Sequence, residues 1–555
     1  MKTLPVKSGH YNLSDYDEQY QNFSWQDAEK YFSWSETGKV NIAYEAIDRH
    51  AKGTKKHKVA LFYRDEQRVE KYTFKEIMEW SNRAGNVFKE HGVGKGDLIF
   101  MFLPRIPELY MAVLGAVKIG AIVGTLFDSF MKDALGFRLQ DSGTRYLVTT
   151  PELLERIPEK DLEKLQTVFL VGKNIAETGK FIDFNKRLNE AEKYLPITWV
   201  SREDGFLLQY TSGSTGLPKG ILHVHDAMLH YYVTARWVLD LKESDVYWCT
   251  ADPGWITGTV YGMFAPWLTG TSICIYGGRF SPEEWYRTIE MFSVNVLYTA
   301  PTAIRMLMGA GDEILNEYDL SSLRHILTVG EKLSSDIIDW GMDALGLRIH
   351  DTWWMTETGG IMIANFPTLE IRPGSLGKPI PGVKIAILDH EGNKLPPNQV
   401  GNLAIKPSWP AMMRQIWQKP EIYSSYFHPN GYFLTGDAAY MDEDGYIWYQ
   451  GRLSDEIITR GVRLGPFEIE RKLMQHPAVK EAGVIGKPDP ITGESLKAYL
   501  VLNENCKDTS SIKEDLNRFV KEGLSSNIHF AEIAIVKELP KTRSGKLIRR
   551  ALKNL

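Results

Sequence analysis

The sequence predicts an α/β protein: a large N-terminal domain of βαβ subdomains, a small β-rich subdomain, and an α+β C-terminal domain. Three observations carry this. Short runs of Val, Ile, Leu and Tyr alternate with helix-length segments from about residue 58 to 329. Gly and Pro become frequent after about residue 370, in PGSLGKPIPG and KLPPNQVG, and the strand candidates shorten. The tail then combines strand-like EAGVIG and LKAYLVL with one helical segment. At 555 residues the chain exceeds what one hydrophobic core usually supports.

The elements follow in order. The first fifty residues read as an irregular aromatic arm, with Trp25, Phe32 and Trp34, that packs onto the body. KVALFY (58–63) is a strand. Thr73-x-x-Glu76 is a capping box and opens a helix with Ile77, Trp80, Ala84, Val87 and Phe88 on its apolar side. LIFMFLP starts a strand at Leu98, a helix covers 107–119, and AIVGTLF follows from Ala121. YLVTT, TVFLVG, SICIYGG, NVLYTAP and HILTVG continue the pattern, which indicates buried parallel sheets. Such sheets bind ligands beyond the carboxyl ends of their strands. In the tail a helix runs from Ser511 to about Leu524, before AEIAIVKELP. The domain boundary falls in GRLSDEI (451–457), giving domains 1–453 and 454–555.

Bulk properties exclude several functions. The balance of 65 basic against 70 acidic residues gives a net charge of -5 and no global drive toward nucleic acid or anionic membrane. MKTLPVKSGHYNLSDYDEQY lacks the apolar core of a signal peptide, and no run approaches the ~20 apolar residues of a membrane span. Cys249, Cys274 and Cys506 lie far apart, which argues against a disulfide framework or a zinc site and fits a reducing cytoplasm. His223, His225 and His230 cluster, and the first two suit one face of a strand, but no carboxylate or cysteine accompanies them as in a metal site. Cys249 has no base near it in sequence to activate it as a nucleophile.

One stretch points to chemistry. YTSGSTGLPKG (210–220) holds three glycines, the hydroxyls of Thr211, Ser212, Ser214 and Thr215, and Lys219. A glycine-rich loop lets backbone N–H groups converge on an anion, and hydroxyls and an ammonium add to that cradle. The common phosphate loop, G-x-x-x-x-G-K-[ST] running into a helix, fails here because Lys219 stands between Pro218 and Gly220.

TSGSTGLPKG resembles the phosphate-binding signature of the acyl-adenylate-forming superfamily, residue for residue from 211 to 220. Four more stretches resemble that family's motifs, in family order: DTWWMTETGG (351–360), YFLTGDAAYMDEDGY (432–446), GRLSDEIITRGVRLGPFEIE (451–470) and PKTRSGKLIRR (540–550). The resemblance implies an ATP-dependent enzyme that joins a carboxylate to AMP and then to a thiol, with a C-terminal domain that rotates between the two steps.

It also implies roles. Thr211, Ser212, Gly213, Ser214, Thr215, Gly216 and Lys219 would grip the outer phosphates of ATP. Thr356 would bind the α-phosphate and Glu357 would help hold Mg²⁺. Gly330, Glu331 and Lys332 would lie along adenine, with Asp351, Thr352 and Trp353 completing the nucleotide site. Asp437 would accept from the ribose hydroxyls; Arg452 and Arg463 would hold the nucleotide and its phosphate side. Lys546 would touch the substrate carboxylate and the α-phosphate together, making it the catalytic cation of the first half-reaction.

Trp354 resembles the indole that walls off the short pocket of acetate-specific members, where enzymes for longer acids carry glycine. Ile256, Thr257 and Val329 match the other pocket positions, and the FSW pairs at 23–25 and 32–34 extend the match to the arm. Acetate is therefore the expected acid and coenzyme A the expected thiol, with propionate slower. A medium- or branched-chain acyl-CoA synthetase, and a stand-alone adenylation enzyme serving a carrier protein, stay open. Family members are switched off by acetylation of the lysine matching Lys546, which implies an acetyltransferase and a deacetylase as partners. The chain departs from the family at the hinge, where Ser454 replaces an aspartate, and at Arg460, which replaces a small residue beside Gly461 on the coenzyme A path. Arg460 could grip a coenzyme A phosphate.

Overall fold

The computed structural model describes residues 3–211, 217–331, 333–452, 457–459, 462–503, 512–525, 528–540, 547 and 549–553. The side chains of 35, 36, 451, 452, 462, 463, 467, 468, 471 and 550 fall outside that description.

Two large sheets form the body. One runs from Gln415–Ile416 through Lys219–Val224, Gly205–Thr211, Ile122–Thr125, Leu98–Phe102, Tyr146–Thr149 and Thr167–Leu170 to Phe181–Asp183. The other runs from Lys378–Pro379 through Ile363–Ala364, Ile349–Trp353, His325–Val329, Val296–Thr299, Val246–Cys249, Ser272–Tyr276 and Val59–Arg64 to Val69–Thr73. Their central strands are parallel and carry helices between them. Leu98–Phe102 and His325–Val329 are buried at every position, which is why they read as unbroken apolar runs.

Helix Phe74–Glu90 starts at the capping box: Glu76 N–H donates to the Thr73 hydroxyl at 3.2 Å, and Thr73 N–H donates to the Glu76 carboxylate at 2.7 Å. The helix packs on Pro107–Lys118 with almost no spacing at Gly115. A Cβ there would lie 2.7 Å from Ala84 Cβ, Gly85 N and Ser81 O, so only glycine allows the approach.

The N-terminal arm lies on the body as expected but is not irregular. It forms an α-helix, Tyr16–Asn22, and a 3-10 helix, Trp25–Tyr31. The side chains of Asp15 and Ser24 cap these, and that local signal outweighs the aromatic composition. Trp25 stacks on His230 at 5.0 Å, Phe23 meets Trp237 at 4.8 Å, and the Tyr16 hydroxyl donates to Pro379 O at 2.7 Å.

The β-rich region is a four-stranded antiparallel sheet of Lys384–Leu388, Gly401–Lys406, Phe433–Met441 and Ile447–Arg452. The tail has its own sheet, Val462–Leu464, Ile457–Thr459, Gly493–Leu502, Val479–Asp489 and Phe530–Ile535, and its own apolar core around Leu473, Val484, Leu500 and Leu516. Helix Ile512–Gly523 covers it. Among the described residues, no helix is long and apolar enough to cross a membrane.

The functional stretches follow strand ends. Residues 212–216 follow Gly205–Thr211, Gly330 follows His325–Val329, and Thr356 comes three residues after Ile349–Trp353.

Candidate active site

Thr211 and Lys219 sit directly opposite each other on antiparallel strands. Lys219 therefore begins a strand paired back onto Gly205–Thr211 and does not open a helix. Between Thr211 and Lys219, Ser212, Gly213, Ser214, Thr215 and Gly216 lie outside the described residues, as does Lys332. Lys219 is buried, and its ammonium donates to the Tyr426 hydroxyl at 3.2 Å, lying 5.2 Å from that ring's centroid. The Tyr426 hydroxyl donates to Glu357 Oε1 at 3.1 Å. One phenol thus ties the lysine of the loop to the carboxylate of the second motif. Its ring is stacked on Phe433 at 5.8 Å.

Thr356 and Glu357 open a single 3-10 turn, Thr356–Thr358. The turn ends at Gly359, whose φ of +73° and contact with the Ala411 carbonyl exclude a side chain. Met413 N–H donates to Glu357 O at 3.0 Å and fixes the turn from the other side. Glu357 is buried. A carboxylate oxygen is the kind of ligand a hard divalent cation takes.

A cleft beside this turn is lined by Gly330, Glu331, Asp351, Trp353, Asp437 and Ile458, among others. Trp353 Nε1 donates to Asp437 Oδ2 at 2.9 Å, so the second and third motifs meet through one hydrogen bond. Asp437 is paired in register with Arg452 on the neighbouring strand. The Thr302 hydroxyl reaches both Glu331 oxygens, at 2.7 and 2.8 Å, and Arg305 adds an ion pair at 3.2 Å. Asp351 accepts from Thr352 N–H at 2.9 Å and from the Thr328 hydroxyl at 3.3 Å. Burial pushes its carboxyl up to about 8, which keeps it protonated at neutral pH. Arg463 lies in Val462–Leu464, opposite Ile458.

Trp354 also lines this cleft. Its indole N–H donates to the Tyr298 hydroxyl at 3.2 Å, and its ring meets Tyr261 edge-on at 5.1 Å. Ile256 and Val329 are buried in the same apolar cluster. Cys249 turns its thiol toward Thr257 O at 4.0 Å, and burial pushes it up to about 12, so it stays a thiol. His223, His225 and His230 are buried, and burial lowers all three, leaving neutral imidazoles. His225 does not share the strand of His223. The strand ends at Val224, and His225 starts a turn where its Nδ1 accepts from Ile42 N–H at 3.0 Å.

A second cavity of about 1180 Å³ opens against Thr257, Val329 and Gly330. Arg105, Arg156 and Arg279 line it, with Asp128, Glu152 and Asp252 interspersed. Burial, and then the Asp128 charge, push Asp252 up to about 7. The C-terminal domain contributes Ile491 and Thr492 to its wall. Sequence reasoning missed this cavity, because three arginines at unrelated positions make no linear pattern. It missed Tyr426 for the same reason.

Ser454, Arg460, Gly461 and Lys546 lie outside the described residues. The neighbour of Lys546, Leu547, packs with Ile485, Tyr499, Leu539 and Leu552 of the C-terminal domain.

Comparison with known proteins places this geometry. Residues 47–417 match the AMP-binding enzyme family, and 468–546 match the AMP-binding enzyme C-terminal domain. The chain is 58% identical over 554 residues to an acetyl-coenzyme A synthetase of Bacillus subtilis (strain 168), covering 100% of this chain and 97% of that protein. It is 37% identical over 562 residues to an acetyl-coenzyme A synthetase of Pyrobaculum arsenaticum, covering 94% and 84%. A crystal structure of a Brucella canis acyl-CoA synthetase superposes with a TM-score of 0.74 at 32% identity, over 97% of this chain and 98% of that one.

Proposed function

The chain belongs to the AMP-binding enzymes, and on that premise we propose that it is an acetate–CoA ligase forming AMP. In the first half-reaction an acetate oxygen attacks the α-phosphorus of ATP, and pyrophosphate leaves. In the second, the thiol sulfur of coenzyme A attacks the acetyl carbon, and AMP leaves.

The observation that carries this reading is the position of Trp354. Its indole is held by Tyr298 and Tyr261, where it would fill the depth that a longer acyl chain needs. A close-packed interior does not yield that volume cheaply.

Joining two anions requires fixed positive charge and oriented donors more than proton transfer. Lys219, oriented by Tyr426, would bind the outer phosphates with the backbone of 212–216. Thr356 would donate to the α-phosphate. Glu357 would hold Mg²⁺, which shields charge between phosphate oxygens when bound. Asp437, aimed by Trp353, would accept from the ribose diol, with Arg452 and Arg463 beside the nucleotide. Glu331 and Asp351 would flank adenine. Lys546 would bridge acetate and α-phosphate in the first step only.

The large cavity suits coenzyme A. Three guanidiniums at Arg105, Arg156 and Arg279 would match its phosphates, and Thr257 and Val329, which would line the acyl pocket, are in the same wall. Arg460 and Gly461 would lie on the same path. The passage from the four-stranded sheet at Arg452 to the C-terminal sheet at Ile457 supports a domain division at 453/454 with Ser454 at the hinge. The basic neighbours Lys541, Arg543, Arg549 and Arg550 support Lys546 as a target of reversible acetylation in the cytoplasm, which would neutralise the catalytic cation.

Acetate-dependent exchange of pyrophosphate into ATP, together with AMP release that requires coenzyme A, tests the two half-reactions separately. Both are expected. Exchange with no release of AMP on addition of coenzyme A would favour a carrier-protein partner.

A further inference from the structure

The loop after the strand Ile122–Thr125 faces two ways. Phe127, Asp128 and Ser129 line the large cavity. The next residues hold the C-terminal domain. Met131 N–H donates to Leu524 O at 3.2 Å, Phe130 and Ser525 form an antiparallel bridge, and the hydroxyls of Ser129 and Ser525 are 3.2 Å apart. In the first turn of helix Lys132–Ser142, Asp133 forms an ion pair with Lys472 of helix Pro466–Met474.

The pair is built into its surroundings. Lys472 is only 11% exposed, and its ammonium lies 4.2 Å from the centre of the Phe519 ring, which aims it outward at Asp133. Helix Ile512–Gly523 ends where the pair meets. A Cβ on Gly523 would sit 2.7 Å from Asp133 Oδ2 and collide with the end of the Lys472 side chain. A side chain there would therefore push the ends of the two side chains away from their present positions.

We infer that Asp133 and Lys472, meeting over Gly523, form a latch that positions the C-terminal domain for the thiol step. This rests on the ligase reading above. In the docked arrangement Ile491 and Thr492 wall the coenzyme A cavity, so undocking opens that wall. The latch touches none of Lys219, Glu357 or Asp437, so the ATP half-reaction does not depend on it. Because one loop both lines the cavity and holds the domain, coenzyme A binding and docking strengthen each other reciprocally.

The test uses full-length Asp133→Lys, Lys472→Glu and the double reversal. Each is assayed for acetate-dependent pyrophosphate exchange and for single-turnover thiolysis of acetyl-AMP by coenzyme A. Each single reversal is expected to slow thiolysis about tenfold and raise the KM for coenzyme A, with exchange unchanged. The double reversal is expected to recover most of the loss, as a direct ion pair requires, while a merely structural role would lower both half-reactions together. Gly523→Ala gives an independent arm with the same split and no change of charge. Unchanged thiolysis in the single variants, equal loss of both half-reactions, or no recovery in the double variant would overturn the latch. Absence of exchange in the unaltered protein would instead overturn the ligase reading, and the latch with it.

Discussion

Trp354 donates its indole N–H to the Tyr298 hydroxyl at 3.2 Å, and that hydroxyl lies 2.7 Å from the hydroxyl of Thr352. The proposed pocket wall is therefore pinned to the strand Ile349–Trp353, which carries Asp351 and Trp353, the residues proposed to meet the nucleotide. On the proposed reading, acid selection and nucleotide binding would share one element, which would fix the distances that matter to attack together.

Replacing Trp354 by glycine removes that wall. Trp354→Gly should lower kcat/KM for acetate by about tenfold to a hundredfold and raise it for acids of four to six carbons, in line with about 1–3 kcal/mol for each methylene accommodated. An AMP-release assay across the acid series reads this directly. An unchanged profile would remove the pocket assignment.

Tyr426 joins Lys219 to Glu357 through one hydroxyl. Tyr426→Phe keeps the ring on Phe433 but deletes both hydrogen bonds. Bonds to charged groups are worth about 1.5–3 kcal/mol, so the pyrophosphate exchange rate should fall about tenfold or more, with the KM for acetate little changed. A variant as fast as the parent would show that the phenol is a bystander.

Asp351 makes stability depend on pH. Its folded value is raised from 3.8 to about 8 by burial. Between those values the unfolded chain has released a proton that the folded chain retains, so unfolding is increasingly favoured as pH rises. The slope is about 1.4 kcal/mol for each pH unit, and it levels off above the folded value. Asp351→Asn keeps an acceptor for Thr352 N–H and removes the titration. The Tm of this variant should gain on the parent between pH 5 and pH 8. A difference in Tm that stays flat over that range would show that Asp351 is ionised in the fold.

Lys546→Ala separates the half-reactions from the other side. Exchange of pyrophosphate should be abolished, while thiolysis of supplied acetyl-AMP is largely kept. Rapid-quench measurement of both steps checks it, and equal loss of the two would refute a role confined to the first step.

The body of the fold was legible because its strands are buried on both faces and its helices carry local start signals. Leu98–Phe102 is apolar throughout, and Thr73 with Glu76 marks its helix within four residues. The arm was misread because Asp15 and Ser24, two small caps, outweigh the aromatic composition around them. In the site, each motif was visible alone, yet what joins them was not. Trp353 to Asp437 and Tyr426 to Glu357 are contacts between positions 84 and 69 residues apart. The arginine-lined cavity was invisible for a related reason: Arg105, Arg156 and Arg279 lie far apart in sequence and meet only in the folded chain.

The most direct test of acetate–CoA ligase activity is AMP and acyl-CoA formation by the unaltered protein, with ATP, Mg²⁺ and coenzyme A, across acids of one to eight carbons. Acetate should give the highest kcat/KM, propionate a lower one, and acids of four or more carbons almost none, with one AMP released for each acyl-CoA formed. A maximum at four carbons or beyond, or AMP release that does not need coenzyme A, would contradict it.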